Sequence, residues 1–240
     1  MRLLVTGGAG YLGSELCRQA VDSGHDVVAT QFHAPAPFGS PVTVDLREPV
    51  DLPEADVVIH TAYVQADPDM IVRSTRTVAN AARGSRLIHL STDLVFDGEH
   101  APFAEADEPR PVSEYGRAKL EAEGLVADGL IVRTSLLYGK PGPQEALAAR
   151  DDVVFHEDEI RCPTHVADLA AALLELAALD VIGVLHVAGP DAVSRVELAR
   201  LLGARDPRGA PTPHGRARNV TLDSSRAASI LTTKIRGIQG

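Results

Sequence analysis

Tryptophan is absent, and aromatic side chains of every kind amount to 4% of the 240 residues, while 20 glycines accompany plentiful alanine and valine. That balance suits close packing of helices on a sheet. Cysteine is nearly absent too: Cys17 and Cys162 stand in no close-spaced metal or redox motif. Two thiols make no disulfide framework, so a reducing cytoplasm is the expected setting. Basic residues are in deficit, 23 against 33 acidic ones, for a net charge of −10. This disfavours nucleic acid and anionic membranes as partners. No apolar run approaches the ~20 residues that cross a bilayer. The first residues lead into a strand without a basic leader, so export is not expected. No two histidines stand at metal-ligand spacing, and no metal is assigned. His60, His89 and His186 fall on expected strands, in or beside the core.

What is present reads as α/β. A chain of 240 residues can form one large domain, or a domain with a small appendage, and bury a substantial core. Arg2 to Val5 is a strand-type run that meets Thr6-Gly7-Gly8-Ala9-Gly10-Tyr11-Leu12-Gly13 before a helical pattern through Leu16, Ala20 and Val21. Strand, glycine turn and helix is the order a dinucleotide site requires. The glycines let the backbone approach a pyrophosphate, whose charge meets amide donors at the helix amino terminus. Further strands are expected at 25–30, 42–44, 56–60 and 86–91, with a helix over 70–83 whose Ile71, Val78 and Ala82 face inward. This alternation predicts a Rossmann-type, doubly wound parallel sheet. Ligands of such sheets lie beyond the carboxyl ends of the strands, where Thr61, Ala62 and Tyr63 follow the fourth.

At the end of the second strand, the place of the acidic residue that holds the ribose of NAD is taken by Gln31. A neutral amide neither grips a 2′-hydroxyl as a carboxylate would nor repels a 2′-phosphate. Both cofactors are therefore admissible, with NADP slightly favoured over NAD. Arg47, after Asp45 and Leu46, is the nearest arginine candidate.

The stretch from Ser91 to Lys119 carries the chemistry. Tyr115 and Lys119 are four apart, which on a helix places them on one face. With four tyrosines and three lysines in the chain, such a pair arises by accident about 0.05 times. An ammonium beside a phenol lowers its pKa from ~10 by ~1 to 3 units, which fits it for proton transfer.

Leu90-Ser91-Thr92-Asp93-Leu94-Val95-Phe96-Asp97-Gly98, Pro102-Phe103, Glu105 and Tyr115-Gly116-Arg117-Ala118-Lys119 resemble the extended short-chain dehydrogenase/reductases, most closely the dTDP-4-dehydrorhamnose reductase branch. Arg133-Thr134-Ser135, Pro163-Thr164, Asp168-Leu169-Ala170, the 183–189 segment, Arg218-Asn219 and Leu222-Asp223 have counterparts there as well. The resemblance implies a ketoreductase in which hydride passes from the nicotinamide to a carbonyl carbon. Tyr115 then gives the developing alkoxide a proton, and Thr92 donates to the same oxygen. Lys119 binds the nicotinamide ribose and depresses the Tyr115 pKa, and Asp93 helps hold the substrate or relay the proton. The implied cofactor contacts are Gly7, Gly10, Tyr11, Leu12, Gly13, Gln31, Asp45, Leu46, Thr61, Ala62, Tyr63, Ser91, Tyr115, Lys119 and Thr134. Gly116 suggests a ligand passing close to its helix. Leu94 stands where the family's dehydratases carry a glutamate, which disfavours elimination of water.

The chain departs from that branch on the substrate side. Leu136 replaces the tryptophan against which the sugar rests, and the segment from 139 to 153 is short. The expected organisation is an NAD(P)-binding domain over 1–138 and 162–188, with a shortened substrate cap over 139–161 and 189–240. A short helix over 142–150, helices over 165–178 and 196–202, a strand over 183–187 and a loop over 207–213 complete the pattern. Leu136, Thr164 and Arg218 are the substrate-side candidates, with Arg216 and Arg218 suited to a diphosphate. The expected partner is a small ketone, a nucleotide-linked keto-sugar or a similar oxygen-rich molecule; a homodimer is admitted. A regulatory subunit that kept the fold and lost catalysis, as in methionine adenosyltransferase, is the alternative from another class. Titration with both cofactors is expected to show NADP(H) binding modestly more tightly; a strong preference for NAD would overturn the reading of Gln31.

Overall fold

The computed structural model describes residues 1–139 and 142–239; residues 140, 141 and 240, included in the expected cap, lie outside the described residues. In chain order the elements are β1 (Arg2–Thr6), α1 (Tyr11–Asp22), β2 (Asp26–Gln31), β3 (Ser40–Thr43), β4 (Val57–His60), α2 (Pro68–Ala81), β5 (Arg86–Thr92), a 3₁₀ turn (Asp93–Val95), α3 (Glu114–Glu123) and β6 (Leu130–Thr134). There follow β7 (Leu137–Tyr138), α4 (Pro143–Ala148), β8 (Val154–His156), β9 (Ile160–Arg161), β10 (Thr164–His165), α5 (Val166–Ala178) and β11 (Gly183–His186). Last come β12 (Val193–Ser194), α6 (Arg195–Leu201), β13 (Arg208–Ala210) and α7 (Ser225–Ile230).

Seven strands form one parallel sheet in the order β11-β6-β5-β4-β1-β2-β3. Buried residues alternate between its faces as a period of two demands. Leu3, Val5, Ile59, Ile88 and Val132 pack with α1 and α5 on one side, and Leu4, Val58, Leu87 and Ile131 lie on the other with Val78 of α2. A strand covered on both faces reads as continuously apolar, which is why Val57–His60 is buried throughout. α1 and α5 pack together on the first face, α2 and α3 on the second. β3 begins earlier than the sequence predicts because its register pairs Val28 with Ser40 and Gln31 with Thr43. Pro41 is tolerated there because β3 is an edge strand.

Three two-stranded ladders, β7 with β10, β8 with β13 and β9 with β12, build the remainder. Arg208–Ala210 lies in the expected loop, yet pairs with Val154–His156; a long-range partner overrides the proline and glycine signal. Ala148, Phe155, Val196 and Ala199 form a small core of their own. α7, placed with the cap by its position in sequence, returns to the main sheet: Ala227 and Leu231 are buried with Leu173 and Leu185. Among the described residues no helix is long and apolar enough to cross a membrane.

Two charges lie inside the second face. Glu123 accepts from Arg133 Nε at 3.0 Å and Nη2 at 2.7 Å, and Ser91 donates to the same carboxylate. Breaking a buried pair leaves an uncompensated charge. Glu123→Leu is therefore expected to lower unfolding stability by about 3–5 kcal/mol, and the double variant Glu123→Leu/Arg133→Met to regain most of it. Urea denaturation of the three proteins tests this, and a single variant as stable as the parent would refute it.

Candidate active site

Because every strand of the main sheet is parallel, the segments after β1, β4 and β5 leave from one edge. The turn after β1 is built for close approach. Gly7 has φ +73, and a Cβ there would stand 2.9 Å from the Ala62 Cα; a Cβ on Gly13 would stand 2.1 Å from the Gly7 carbonyl oxygen. Gly7 donates to Thr30 Oγ1 at 3.0 Å, Gly8 to the Thr30 carbonyl at 2.9 Å and Gly10 to the Gly7 carbonyl at 2.8 Å. Gly10 opens α1 without a side-chain cap, and no acidic residue occupies the first turn. Orphan amides and the positive end of the helix are thus left for an anion. The turn fits a dinucleotide pyrophosphate.

β5 ends in Thr92, whose hydroxyl accepts from Leu94 N at 3.2 Å as the cap of the 3₁₀ turn and donates to Asp93 Oδ1 at 3.1 Å. Asp93 is wholly buried. Arg161 grips it with Nε at 2.8 Å from Oδ2 and Nη2 on Oδ1, and Ser135 donates to Oδ2. α3 is capped by Ser113, which accepts from Gly116 N at 3.0 Å. It lies so close to the turn that a Cβ on Gly116 would stand 2.2 Å from the Leu94 carbonyl oxygen. The Leu94 backbone is thus by itself enough to require a glycine here.

On the same helix, Lys119 donates from Nζ to the Leu90 carbonyl at 2.7 Å and stands 4.6 Å from the centre of the Tyr63 ring. Burial pushes its ammonium down to about 8 against the opposing pull of Glu123. His60 and His89 lie beside it, ring centres 5.3 Å apart, and both are held neutral by burial and by the lysine charge. Tyr63, from the segment after β4, also faces Tyr115 at 6.1 Å between ring centres. The sequence predicts a Tyr115 pKa depressed by Lys119, but the structure raises it well above 10. Burial is the first cause, followed by the Tyr63 phenol and the Asp93 carboxylate, with the Thr92 hydroxyl pulling the other way. Lys119 spends its hydrogen bond on β5 and does not offset these effects.

Thr92, Asp93, Tyr115, Lys119 and Tyr63 therefore meet in one place, next to the glycine turn. Other expected contacts are arranged differently. Leu46 is buried in the second-face core, and Leu12 in the first, so neither side chain is presented to a ligand. The Ser91 hydroxyl is turned to Glu123. Thr61 Oγ1 donates to the Thr6 carbonyl at 2.7 Å, and the Tyr11 phenol donates to the Gly139 carbonyl. Gln31 Oε1 accepts from Ala36 N at 2.9 Å while Nε2 donates to Thr43 Oγ1 at 3.1 Å. Asp45 is bound by Arg47, Nη2 to Oδ2 2.6 Å, which holds its carboxyl down to about 2; Arg47 also lies 5.0 Å over the Phe32 ring.

The substrate-side candidates are spread over different environments. Thr164 is fully buried; its hydroxyl donates to the Cys162 carbonyl, accepts from Gly189 N at 3.1 Å and meets Thr134 Oγ1 at 3.4 Å. Its hydroxyl is thus engaged within the protein. Arg218 points outward, 65% exposed, with Asp158 at 3.5 Å, while Leu136 is half-buried and its carbonyl accepts from Thr164 N. The residues sequence reasoning missed are Arg161, Glu159 and Arg195. Their only signal was a buried acid at 93 in need of a cation. Among the described residues no group of three or more His, Cys, Asp or Glu side chains is placed to hold a metal.

Comparison with known proteins places the chain in a family. The family model described as the RmlD substrate binding domain matches residues 1–236. A dTDP-4-dehydrorhamnose reductase of Mycobacterium tuberculosis is 36% identical over 83% of this chain and 73% of its own length. The crystal structure of a hypothetical dTDP-4-dehydrorhamnose reductase from Sulfolobus tokodaii superposes with a TM-score of 0.85 at 29% identity, covering 98% of this chain and 97% of that one. A structure of MoeE5 in complex with UDP-glucose and NAD gives 0.86 at 26% identity, covering 100% and 96%.

Lys119 is protonated below its pKa of about 8 and loses its charge above it. Dinucleotide affinity followed by NADPH fluorescence is accordingly expected to be flat below that pH and to fall severalfold above it. Lys119→Met should bind weakly at every pH without that limb; an unchanged profile in the variant would remove Lys119 from the site.

Proposed function

This chain belongs to the family of the RmlD substrate binding domain, and on that premise we propose that it is an NAD(P)H-dependent reductase of nucleotide-linked keto-sugars. One observation carries the reading: Thr92, Tyr115 and Lys119 converge under Tyr63 at the sheet edge from which the glycine turn also leaves. The relatives named for keto-sugar reduction support the substrate class.

Gly7, Gly10 and Gly13 admit the pyrophosphate at the start of α1, and Lys119 with Tyr63 takes the nicotinamide ribose. Bound NADH or NADPH supplies a hydride to the carbonyl carbon. Tyr115 donates to the carbonyl oxygen and releases its proton to the alkoxide; Thr92 becomes a second donor to that oxygen when its hydroxyl turns from Asp93 to the substrate. A phenol kept protonated by burial is suited to that direction, because a reductase needs the acid form of its donor. Asp93, committed to Arg161, Ser135 and Thr92, holds the Thr92 side chain in place. NADP(H) is the favoured cofactor because Gln31 brings no carboxylate to the ribose.

The substrate side is formed by the segments 142–161 and 189–224, with Leu136 at the inner wall. Both thiols are free and buried, which suits a cytoplasmic enzyme. Tyr115→Phe is expected to cut turnover of a dTDP-linked 4-keto-sugar by at least ~100-fold while leaving NADPH affinity within about twofold. Stopped assays of NADPH oxidation measure the first and fluorescence titration the second. Undiminished turnover in the variant would reject the assigned donor.

A further inference from the structure

Once Tyr115 has given up its proton the site must supply another before the next turnover, and the groups around it differ in whether they can. Lys119 spends its Nζ bond on the Leu90 carbonyl at 2.7 Å. Behind it, His60 and His89 are buried and held neutral by that burial and by the lysine charge. The His60 ring leads only to Thr6 Oγ1 at 2.7 Å and Thr75 Oγ1 at 3.2 Å, both interior hydroxyls. Asp93 is committed to Arg161 and Ser135, and the Ser91 hydroxyl to Glu123. Protons therefore do not arrive from the protein side. Two of the four tyrosines are also spent, since Tyr11 donates to the Gly139 carbonyl and Tyr138 to that of Gly237.

Tyr63 differs on each count. It follows β4, outside any helix or strand, and 47% of its surface is open to solvent. Its ring centre lies 6.1 Å from that of Tyr115, with 43° between the planes, and the Lys119 ammonium sits 4.6 Å from the ring centre, a cation–π contact that fixes the ring over the site. Its hydroxyl acts on the Tyr115 phenol both through charge and as a hydrogen-bond partner. A phenolate at 115 is disfavoured by its burial and by Asp93, so it draws a proton from an acid within reach.

We propose that Tyr63 relays protons from solvent to Tyr115. The inference rests on the reductase reading, and gives Tyr63 a task beyond its place over Lys119. As hydride reaches the carbonyl carbon, the C=O π pair moves onto oxygen and takes the Tyr115 proton, leaving a phenolate. The Tyr63 O–H bond then breaks as the Tyr115 O–H bond forms again, and Tyr63 recovers its proton from hydronium or a buffer acid. Each turnover thus draws one proton from solvent. Tyr63 acts on the substrate only through Tyr115.

Tyr63→Phe in the full chain tests the relay, because it keeps the ring over Lys119 and removes the hydroxyl. With a dTDP-linked 4-keto-sugar its kcat should fall about 10-fold or more, while KM and NADPH affinity stay within about twofold. The solvent deuterium isotope effect on kcat should rise, and added imidazolium, a small acid able to stand in for the phenol, should restore part of the rate in proportion to its concentration. A ring that only packs would move neither. As a readout apart from activity, tyrosine labelled at the hydroxyl-bearing carbon gives four NMR signals; that of Tyr115 should shift in Tyr63→Phe and ionise at lower pH than in the parent. A Tyr63→Phe variant with the parent's kcat, or one whose lost rate no buffer acid restores, overturns the relay. A parent that reduces no nucleotide-linked ketone overturns the reductase reading and the relay with it, and the Tyr115 signal then reports by itself whether the two phenols are coupled.

Discussion

Asp93 holds its charge with no access to water, and a carboxylate can do so only when the protein replaces every hydrogen bond that water would have supplied. Here two donors come from Arg161, one from Ser135 and one from Thr92. Those partners come from β9, from the segment after β6 and from the end of β5. Satisfying one buried charge therefore ties the sheet to the outer ladders, and at the same time fixes the Thr92 side chain. The strain-free way to keep the ion is to keep the whole arrangement. The groups proposed to react inherit their positions from an electrostatic requirement that would exist without any substrate.

A second buried pair, Arg133 with Glu123, does the same from the opposite side. Its carboxylate lies on the helix that carries Lys119, and opposes the burial that would otherwise discharge the ammonium further. Arg133 also covers Phe96, which stacks on Phe103 at 4.2 Å between ring centres. Lys119 is thus boxed by a carbonyl, an aromatic face and two neutral histidines. Its role is to hold one positive charge at the sheet edge. The rise in the Tyr115 pKa follows from the same enclosure: walls dry enough to fix a cation also disfavour a phenolate. Proton donation and cation retention are two consequences of one low-dielectric setting.

Much of the frame was legible in order along the chain. Strand runs bounded by glycine, the inward stripe of Ile71 and Val78, and the stripe of Leu169, Leu173 and Leu176 all depend on local periodicity, which the sequence displays directly. The adjacency of Tyr115 and Lys119 was legible for the same reason, since a helix converts a spacing of four into a shared face. Gly116 was legible as special, but only the folded chain shows that the Leu94 carbonyl lies beneath it. The pairing of Arg208–Ala210 with β8, the return of Ala227 to the main core, and the burial of Thr164 all turn on partners distant in sequence.

Residue order alone determined that the chain forms a doubly wound parallel sheet with a glycine turn and a tyrosine and lysine pair, because both rest on short-range spacing and burial periodicity. Which charges pair was decided only by the tertiary structure. An arginine at 161 acquires meaning from an aspartate 68 positions away. The sign and size of the Tyr115 shift belong to the same class. Ionisation inside a protein depends on solvent exclusion and on distances in space, and neither is written in the separation of residues along the chain.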